Sequence, residues 1–333
     1  MISAGRHAGF SAETCLEVGW ADRHGYPKES KVDAMKKPVI SGGHRAQYEN
    51  FSANFGFCYE TFVLLPSRSN CRVMGILNVT PDSFSDGGRY ASLESAVARA
   101  FAMVDEGADL IDVGGESTRP GAPSVSEDEE LSRVLPLLRA LRREGFSKPV
   151  SLDTAKPSVA RKALDEGLVS MLNDVGGLRD PAMVDVVRAH GCPAVMMHMF
   201  GDPRTMQQAY RYDDVVTDLV AFFERRIEET GLREQLILDP GLGFGKSVEH
   251  NLAIISRLGE FKALGFPILV GASRKSFIGA VLDVPVEERL EGSLAIAAMA
   301  VERGADMLRV HDVRETRRVV TMTEALLRAD SAR

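Results

Sequence analysis

The chain has no apolar run near the ~18 residues that a membrane-spanning helix needs, and it has no Cys-x-x-Cys pair. Its four cysteines, Cys15, Cys58, Cys71 and Cys192, are scattered. That spacing makes a zinc knuckle a poor reading, and so few cysteines in 333 residues suit a reducing compartment. Positive charge is short as well: 40 Lys and Arg against 47 Asp and Glu leave a formal net charge of −7. Nucleic acid is therefore disfavoured as main partner, because phosphate backbones select basic faces. An anionic small substrate is not, because a pocket's field is local. The N-terminus lacks the charged-then-apolar layout of a secretion signal. Glu13, Glu17, Asp22, Glu29 and Asp33 argue against an organelle transit peptide. The cytoplasm is the expected location.

What is present is a rhythm. Eight short apolar runs between Val73 and Val310 end at Asn78, Asp112, Asp153, Asn173, His198, Asp239, Ser273 and His311, and a helical stretch follows each run. The runs read VMGILNV, ADLIDVG, PVSLD, SMLND, PAVMMH, QLILDP, PILVGAS and MLRVHD. This alternation predicts an α/β fold, a (β/α)8 TIM barrel over 71–329 with an N-terminal extension over 1–70. Parallel strands are buried on both faces, so a polar residue inside a run is costly and one at its C-terminal end is not. The strand ends ring one mouth in such a barrel, so these residues describe one polar pocket. Residues 1–70 are rich in Gly, Ser and His with weak periodicity; FSANFGFCYETFVLL (51–65) reads as a strand or hairpin. Between strands, Ala96, Ala100 and Met103 fall at helical spacing, Ser126 with Glu129 three residues on marks a helix start, and Pro157 opens another helix. Two connections are long: TPDSFSDGGRYAS at 80–92 and GESTRPGAPSVS at 115–126. Such loops in a compact barrel read as lids or binding loops.

Asp153, Asn173 and Asp239 could each merely cap a helix. Three of them converging on one axis favour a ligand, and two carboxylates plus an amide suit an aminopyrimidine edge. DPGLGFGKS at 239–247 is not a phosphate-cradling P-loop, since Pro240 stands where its first glycine belongs. It reads as a glycine loop over a flat ligand, with Phe244 as a stacking edge. SRKS brings Arg274 and Lys275 to the end of strand 7, where barrels commonly hold anions. Arg309 and His311 lie two apart on strand 8 and share a face. With Asn78 on neighbouring strand 1 they suit a diphosphate, and Asn78 could give a hard oxygen to Mg2+. Carboxyl and amide groups are thus expected on one side of the pocket and cations on the other. His190 reads as a helix C-terminal charge, His198 as structural, and Asp112 as a holder of the second loop.

MGILNVTPDSFSDGG (74–88), DVGGESTRPGA (112–122), LNDVGG, LDPGLGFGK, SRKS and LRVHDV resemble the dihydropteroate synthase family, in the same order and from Arg72 to about Ala329. The resemblance implies a pterin-binding transferase that joins 4-aminobenzoate to a dihydropterin methyl diphosphate and releases diphosphate, with Mg2+ as cofactor and a homodimer as assembly. It implies Asp153, Asn173, Asp239, Lys275, Phe244, Met197 and Gly271 as pterin-site residues. It further implies Arg309, His311, Asn78 and Lys275 as catalytic groups, Asn78 being the metal ligand. Phe84, Thr118, Arg119, Pro120, Ser273, Arg274 and Ser276 are implied for aminobenzoate and the lids. Sulfonamides become relevant, with the chain either their target or a determinant of resistance. Phe200 and Asp202 depart from the family's usual Gln and Thr. The 70-residue N-terminus exceeds the short leader of single-domain bacterial forms and shows no sign of a fused pyrophosphokinase. Two rivals are a pterin-dependent methyltransferase, which should not need STRPGA or SRK, and a non-catalytic pterin binder, which should have lost them.

Overall fold

The computed structural model describes residues 71–79, 88–117, 124–201 and 210–331. Phe84, Thr118, Arg119, Pro120, Asp202 and the 51–65 segment lie outside these residues. Eight strands form one sheet: β1 Arg72–Asn78, β2 Leu110–Gly114, β3 Val150–Asp153, β4 Met171–Asp174, β5 Ala194–Met197, β6 Leu236–Asp239, β7 Leu269–Val270 and β8 Met307–Val310. The ladders are parallel in the order β6-β5-β4-β3-β2-β1-β8-β7. A parallel bridge between Leu238 and Ile268 joins the two ends and closes the barrel. β7 is shorter than the apolar run PILVGAS predicts. It lies at this seam, where Pro267 has no N–H for the ladder and serves as acceptor for Leu238 N at 2.9 Å.

Helices follow the strands: α1 Gly88–Asp105, α2 Glu127–Arg143, α3 Pro157–Asp165, α4 Pro181–His190, α5 Val215–Thr230, α6 Val248–Ser256, α7 Ser276–Leu282, α8 Leu290–Glu302 and α9 Val313–Ser331. Their starts follow sequence chemistry. Ser126 Oγ accepts from Glu129 N at 3.2 Å at the head of α2, where four acidic residues fill the first turn. Pro157 opens α3, a position that has no use for its missing N–H. Between helices and sheet lies the larger core, in which Ala96, Ala100 and Met103 of α1 are buried as their spacing predicts.

Inside the barrel a second apolar layer gathers one residue from almost every strand: Met74, Leu110, Met171, Val195, Ile237, Leu269 and Met307. The strand period of two then determines what stands above it. Two residues on, the same inward face carries Asp112, Asn173, Met197, Asp239, Gly271 and Arg309, with Asp153 in register beside Asn173. A dry apolar plug thus floors a polar chamber at the C-terminal ends of the strands.

Candidate active site

One closely bonded cluster stands directly above the apolar plug. Arg309 on β8 donates from Nε to Asp112 Oδ2 at 2.6 Å and from Nη2 to Asp153 Oδ2 at 2.7 Å. Asn173 Nδ2 donates to the same Asp112 oxygen at 2.8 Å. The other Asp112 oxygen, fully buried, has no hydrogen-bond partner. Two expectations are corrected here. Asp112 does not end a strand or hold the second loop: it sits mid-strand on β2, inside the apolar run, and the buried charge is tolerated because Arg309 and Asn173 satisfy it. Nor do carboxylates and cations occupy opposite sides, because Arg309 bridges Asp112 and Asp153 directly.

Across the chamber, Asp239 ends β6 with one oxygen accepting from Gly241 N at 2.8 Å. Gly271 leaves space above β7, where an added Cβ would meet only Arg309 Cβ at 3.8 Å and Asp239 Oδ2 at 3.9 Å. Lys275 donates to Leu242 O at 2.7 Å, and its ammonium lies 4.0 Å from the Phe244 ring centroid. Met197 and Phe244 belong to an apolar cluster with Val175 and Met199, which supplies a flat hydrophobic wall. At the rim, His311 Nδ1 pairs with Ser273 Oγ at 3.1 Å, and His311 N donates to the same hydroxyl at 3.2 Å. Asn78 ends β1 beside Gly114 of β2, and its Oδ1 points to where a Gly114 side chain would be, 3.4 Å from an added Cβ.

Burial sets the protonation of this chamber. It raises Asp153 to about 7 against the opposing pull of Arg309, and it raises Asp239 despite the Gly241 N–H and Lys275. Burial lowers Lys275 to about 8, with Asp239 opposing. Burial disfavours charge on Arg309 too, but Asp112 and Asp153 outweigh it and hold the guanidinium firmly protonated. A carboxyl raised toward neutrality in a cleft, as Asp153 is, is a mark of functional sites.

Several candidates serve the walls instead. His198 is buried and accepts from Lys246 Nζ at 3.0 Å through Nδ1, while its ring packs edge-on against Phe222 with centroids 4.7 Å apart. Burial and the nearby Lys246 push it down to about 2, so it is neutral. Lys246, not singled out by sequence reasoning, also donates to Gly241 O at 2.9 Å and Phe244 O at 3.0 Å, fastening the glycine loop to the end of β5. His190 ends α4 and pairs with Asp165. Arg274 does not face a ligand as a free cation: it is bidentate to Asp312, both contacts at 2.8 Å, and sits at φ 56°. Ser276, exposed, opens α7.

The base of the second long connection is tied to the chamber wall. Glu116 Oε1 accepts from Val125 N at 3.1 Å, joining the two feet of the connection. Its other oxygen pairs with Lys156 Nζ, which also reaches the buried Glu130 at 2.5 Å. Arg133 donates to Gly115 O at 2.8 Å. Gly115 must stay small, since a Cβ there would meet Val134 Cγ1 at 2.8 Å. Lys156 stands three residues after Asp153. The acid-rich spacing of α2 was the only sequence signal for this tie, and it pointed to capping alone.

A second concavity, of about 400 Å³, lies outside the lumen and is lined by residues including Arg179, Phe200, Tyr212, Phe222 and Arg225. It carries none of the inward strand residues apart from its contact with His198 at its edge. The chemistry-bearing side chains are in the lumen. Among the described residues no three His, Cys, Asp or Glu side chains form a metal-binding group.

The model of the family described as pterin binding enzyme matches residues 74–311. The dihydropteroate synthase of Escherichia coli K12 is 48% identical over 265 residues, which cover 78% of this chain and 93% of that protein. A solved structure of the Yersinia pestis dihydropteroate synthase with a sulfonamide drug complex is 45% identical with TM-score 0.73, covering 78% of this chain and 95% of that one. The Xanthomonas albilineans dihydropteroate synthase, solved with 4-aminobenzoic acid, is 43% identical with TM-score 0.72, at the same coverage of 78% and 95%.

Proposed function

The chain belongs to the pterin-binding enzymes and, within them, to the dihydropteroate synthases, transferases of folate biosynthesis, and we propose that its barrel chamber carries out that condensation with the residues described above. The observation that carries this reading is the buried set of Asp153, Asn173 and Asp239 facing Arg309, with Gly271 leaving space between. A pterin's aminopyrimidine edge offers the donors and acceptors that two carboxylates and an amide require. Phe244 and Met197 give its flat ring an apolar wall. Lys275, beside Asp239, donates to the ring's polar edge.

The amine of 4-aminobenzoate is a weak nucleophile, so departure of diphosphate governs the reaction. Arg309 and His311 stand at the end of β8 where negative charge grows on the leaving oxygen. Among the described residues no side chain stands out as a general base, which suits a reaction driven by ionisation of the carbon–oxygen bond. Mg2+ fits the donor set in one sense: Asn78 offers a single hard oxygen, so the ion would take its remaining ligands from the diphosphate and water. When bound, it neutralises charge on the departing diphosphate. The methyltransferase and non-catalytic readings have no use for the anion-facing Arg309 and His311 together with Lys275. Incubating the protein with dihydropterin methyl diphosphate, Mg2+ and 4-aminobenzoate is expected to yield diphosphate and dihydropteroate in equal amounts. Release of diphosphate without dihydropteroate, or no turnover, overturns the reading.

pH follows from burial. Pterin N–H groups need ionised carboxylates, and Asp153 is raised to about 7. Affinity for the ring is therefore expected to fall as pH drops through about 7, and to weaken again above about 8 as Lys275 loses its proton. The empty fold behaves oppositely toward Asp153: a raised carboxyl contributes stability at low pH and loses it as pH rises through about 7. Calorimetric titration from pH 5.5 to 8.5 beside thermal melts separates the two, and parallel trends would contradict the assignment of Asp153.

The second connection is proposed to border the aminobenzoate site, as its motif implies. Lys156→Met is then expected to raise KM for aminobenzoate about threefold, roughly the 0.7 kcal/mol of one partly exposed ion pair, with KM for the pterin unchanged. Equal effects on both substrates would show that Lys156 supports the pterin wall instead.

A homodimer is proposed through the outer helices. Val281 and Leu282 of α7, Met299 of α8, and Met322 and Leu326 of α9 are exposed apolar side chains, and a surface of this kind suits a self-complementary interface. Light scattering should return twice the chain mass. A cytoplasmic site is proposed as well; no described helix is long and apolar enough to cross a membrane.

A further inference from the structure

In the chamber the cation proposed for the diphosphate is bound to the carboxylate proposed for the pterin. Arg309 Nη2 lies 2.7 Å from Asp153 Oδ2. A pterin that donates to both oxygens of Asp153 displaces this guanidinium group, and a displaced buried guanidinium needs another anion. The substrate carries one. Arg309 stays available for it because a different nitrogen, Nε, remains on Asp112 at 2.6 Å. Asp112 cannot follow the exchange: its backbone is paired to β1 at Ile76 and to β3 at Ser151, and its carboxylate is also held by Asn173.

We propose that Asp112 is a positioning residue for Arg309, dividing the guanidinium between itself and Asp153 in the empty protein, so that ring and anion bind with positive coupling. The inference rests on the dihydropteroate synthase reading and adds to it the order of contacts inside the site. The ring alone binds at the cost of the Arg309–Asp153 pair. With diphosphate present Arg309 has already moved, and Asp153 is open. By linkage each ligand strengthens the other by the same factor.

The test uses the full chain with two probes, 6-hydroxymethylpterin and inorganic diphosphate with Mg2+, read by calorimetry. In the wild type, saturating diphosphate is expected to tighten ring binding about tenfold or more. Loss of Arg309 raises Asp153 further, so each protein is compared at the pH of its tightest ring binding; there Arg309→Met should bind the ring alone at least as tightly as the wild type and ignore diphosphate. Asp112→Asn removes the competing charge, leaves Arg309 on Asp153, and should weaken the ring alone about fivefold. The decisive arm is Asp112→Asn combined with Arg309→Met, which should match Arg309→Met alone, because the new amide keeps an acceptor oxygen for Asn173 and the lost charge acts through Arg309. A purely structural Asp112 would weaken the ring in both backgrounds and overturn the proposal. So would diphosphate coupling that survives in Arg309→Met. Should Arg309→Met fail to fold, Arg309→Lys keeps the charge and loses the fork, and coupling must then fall below threefold. An enzyme that turns over but shows no coupling defeats this inference alone; one that binds neither probe nor turns over defeats the functional reading.

Discussion

Asp153→Asn is expected to lower kcat/KM for the pterin substrate about 100-fold while the melting temperature stays close to that of the wild type. Asn keeps the shape and one acceptor oxygen, so Arg309 Nη2 keeps a partner in place of the carboxylate oxygen now 2.7 Å away. What is lost is the charge that receives the pterin's N–H groups and steadies positive charge on its methylene. A hydrogen bond to a charged group is worth about 1.5–3 kcal/mol, and the upper end of that range corresponds to about two decades in rate. The buried, largely inaccessible setting of Asp153 supports the upper end, since little water screens it. Steady-state kinetics with both substrates, alongside a thermal melt, reads the two effects separately. A rate within threefold of the wild type would remove Asp153 from the pterin site.

Gly241→Ala has the largest expected effect on stability. Gly241 stands at φ 68°, and a Cβ there would overlap His198 O and lie 2.9 Å from His198 C. Neither backbone can retreat. His198 N donates to Asp239 O at 2.9 Å as a continuation of the sheet, and Lys246 Nζ holds Gly241 O at 2.9 Å. The left-handed conformation costs a non-glycine residue about 1–2 kcal/mol before any clash. Backbone displacement of a pinned loop adds to that, so a total loss of about 4 kcal/mol is expected, in the range reserved for severe lesions. For a barrel of this size the melting temperature should fall by about 8–16 °C. Asp239 should suffer with it, since its Oδ1 accepts from Gly241 N, and pterin affinity should drop in whatever protein remains folded. A melting temperature within 2 °C of the wild type would mean the glycine loop is not fastened to β5.

The barrel and most of its chamber were legible because two periods coincide. Apolar runs separated by helices gave the strands, the positions of Asp153, Asn173 and Asp239 at strand ends put them at one mouth, and the period of two put Arg309 on one face with His311; Met197 followed only from the family resemblance. Asp112 escaped that logic. A carboxylate inside an apolar run reads as the run's end, and only a partner 197 residues away, Arg309, makes it tolerable mid-strand. Pairing of that kind leaves no local trace. Arg274 misled for the converse reason: its position beside Lys275 suggests an anion site, whereas Asp312, on the next strand's exit, holds it. Lys246 was hidden inside a glycine motif whose flexibility drew attention away from its only cationic side chain. The tie of Lys156 to Glu116 and Glu130 brings together two connections and the first turn of α2, and no short window of sequence contains it.

A crystal structure of this protein with a pterin bound tests the central claim most directly. The ring is expected in the lumen, its aminopyrimidine edge within hydrogen-bond distance of Asp153, Asn173 and Asp239, its face on Phe244 and Met197, and Arg309 drawn off Asp153. A pterin found in the outer concavity beside Tyr212 and Phe222, with Arg309 still on Asp153, would contradict it.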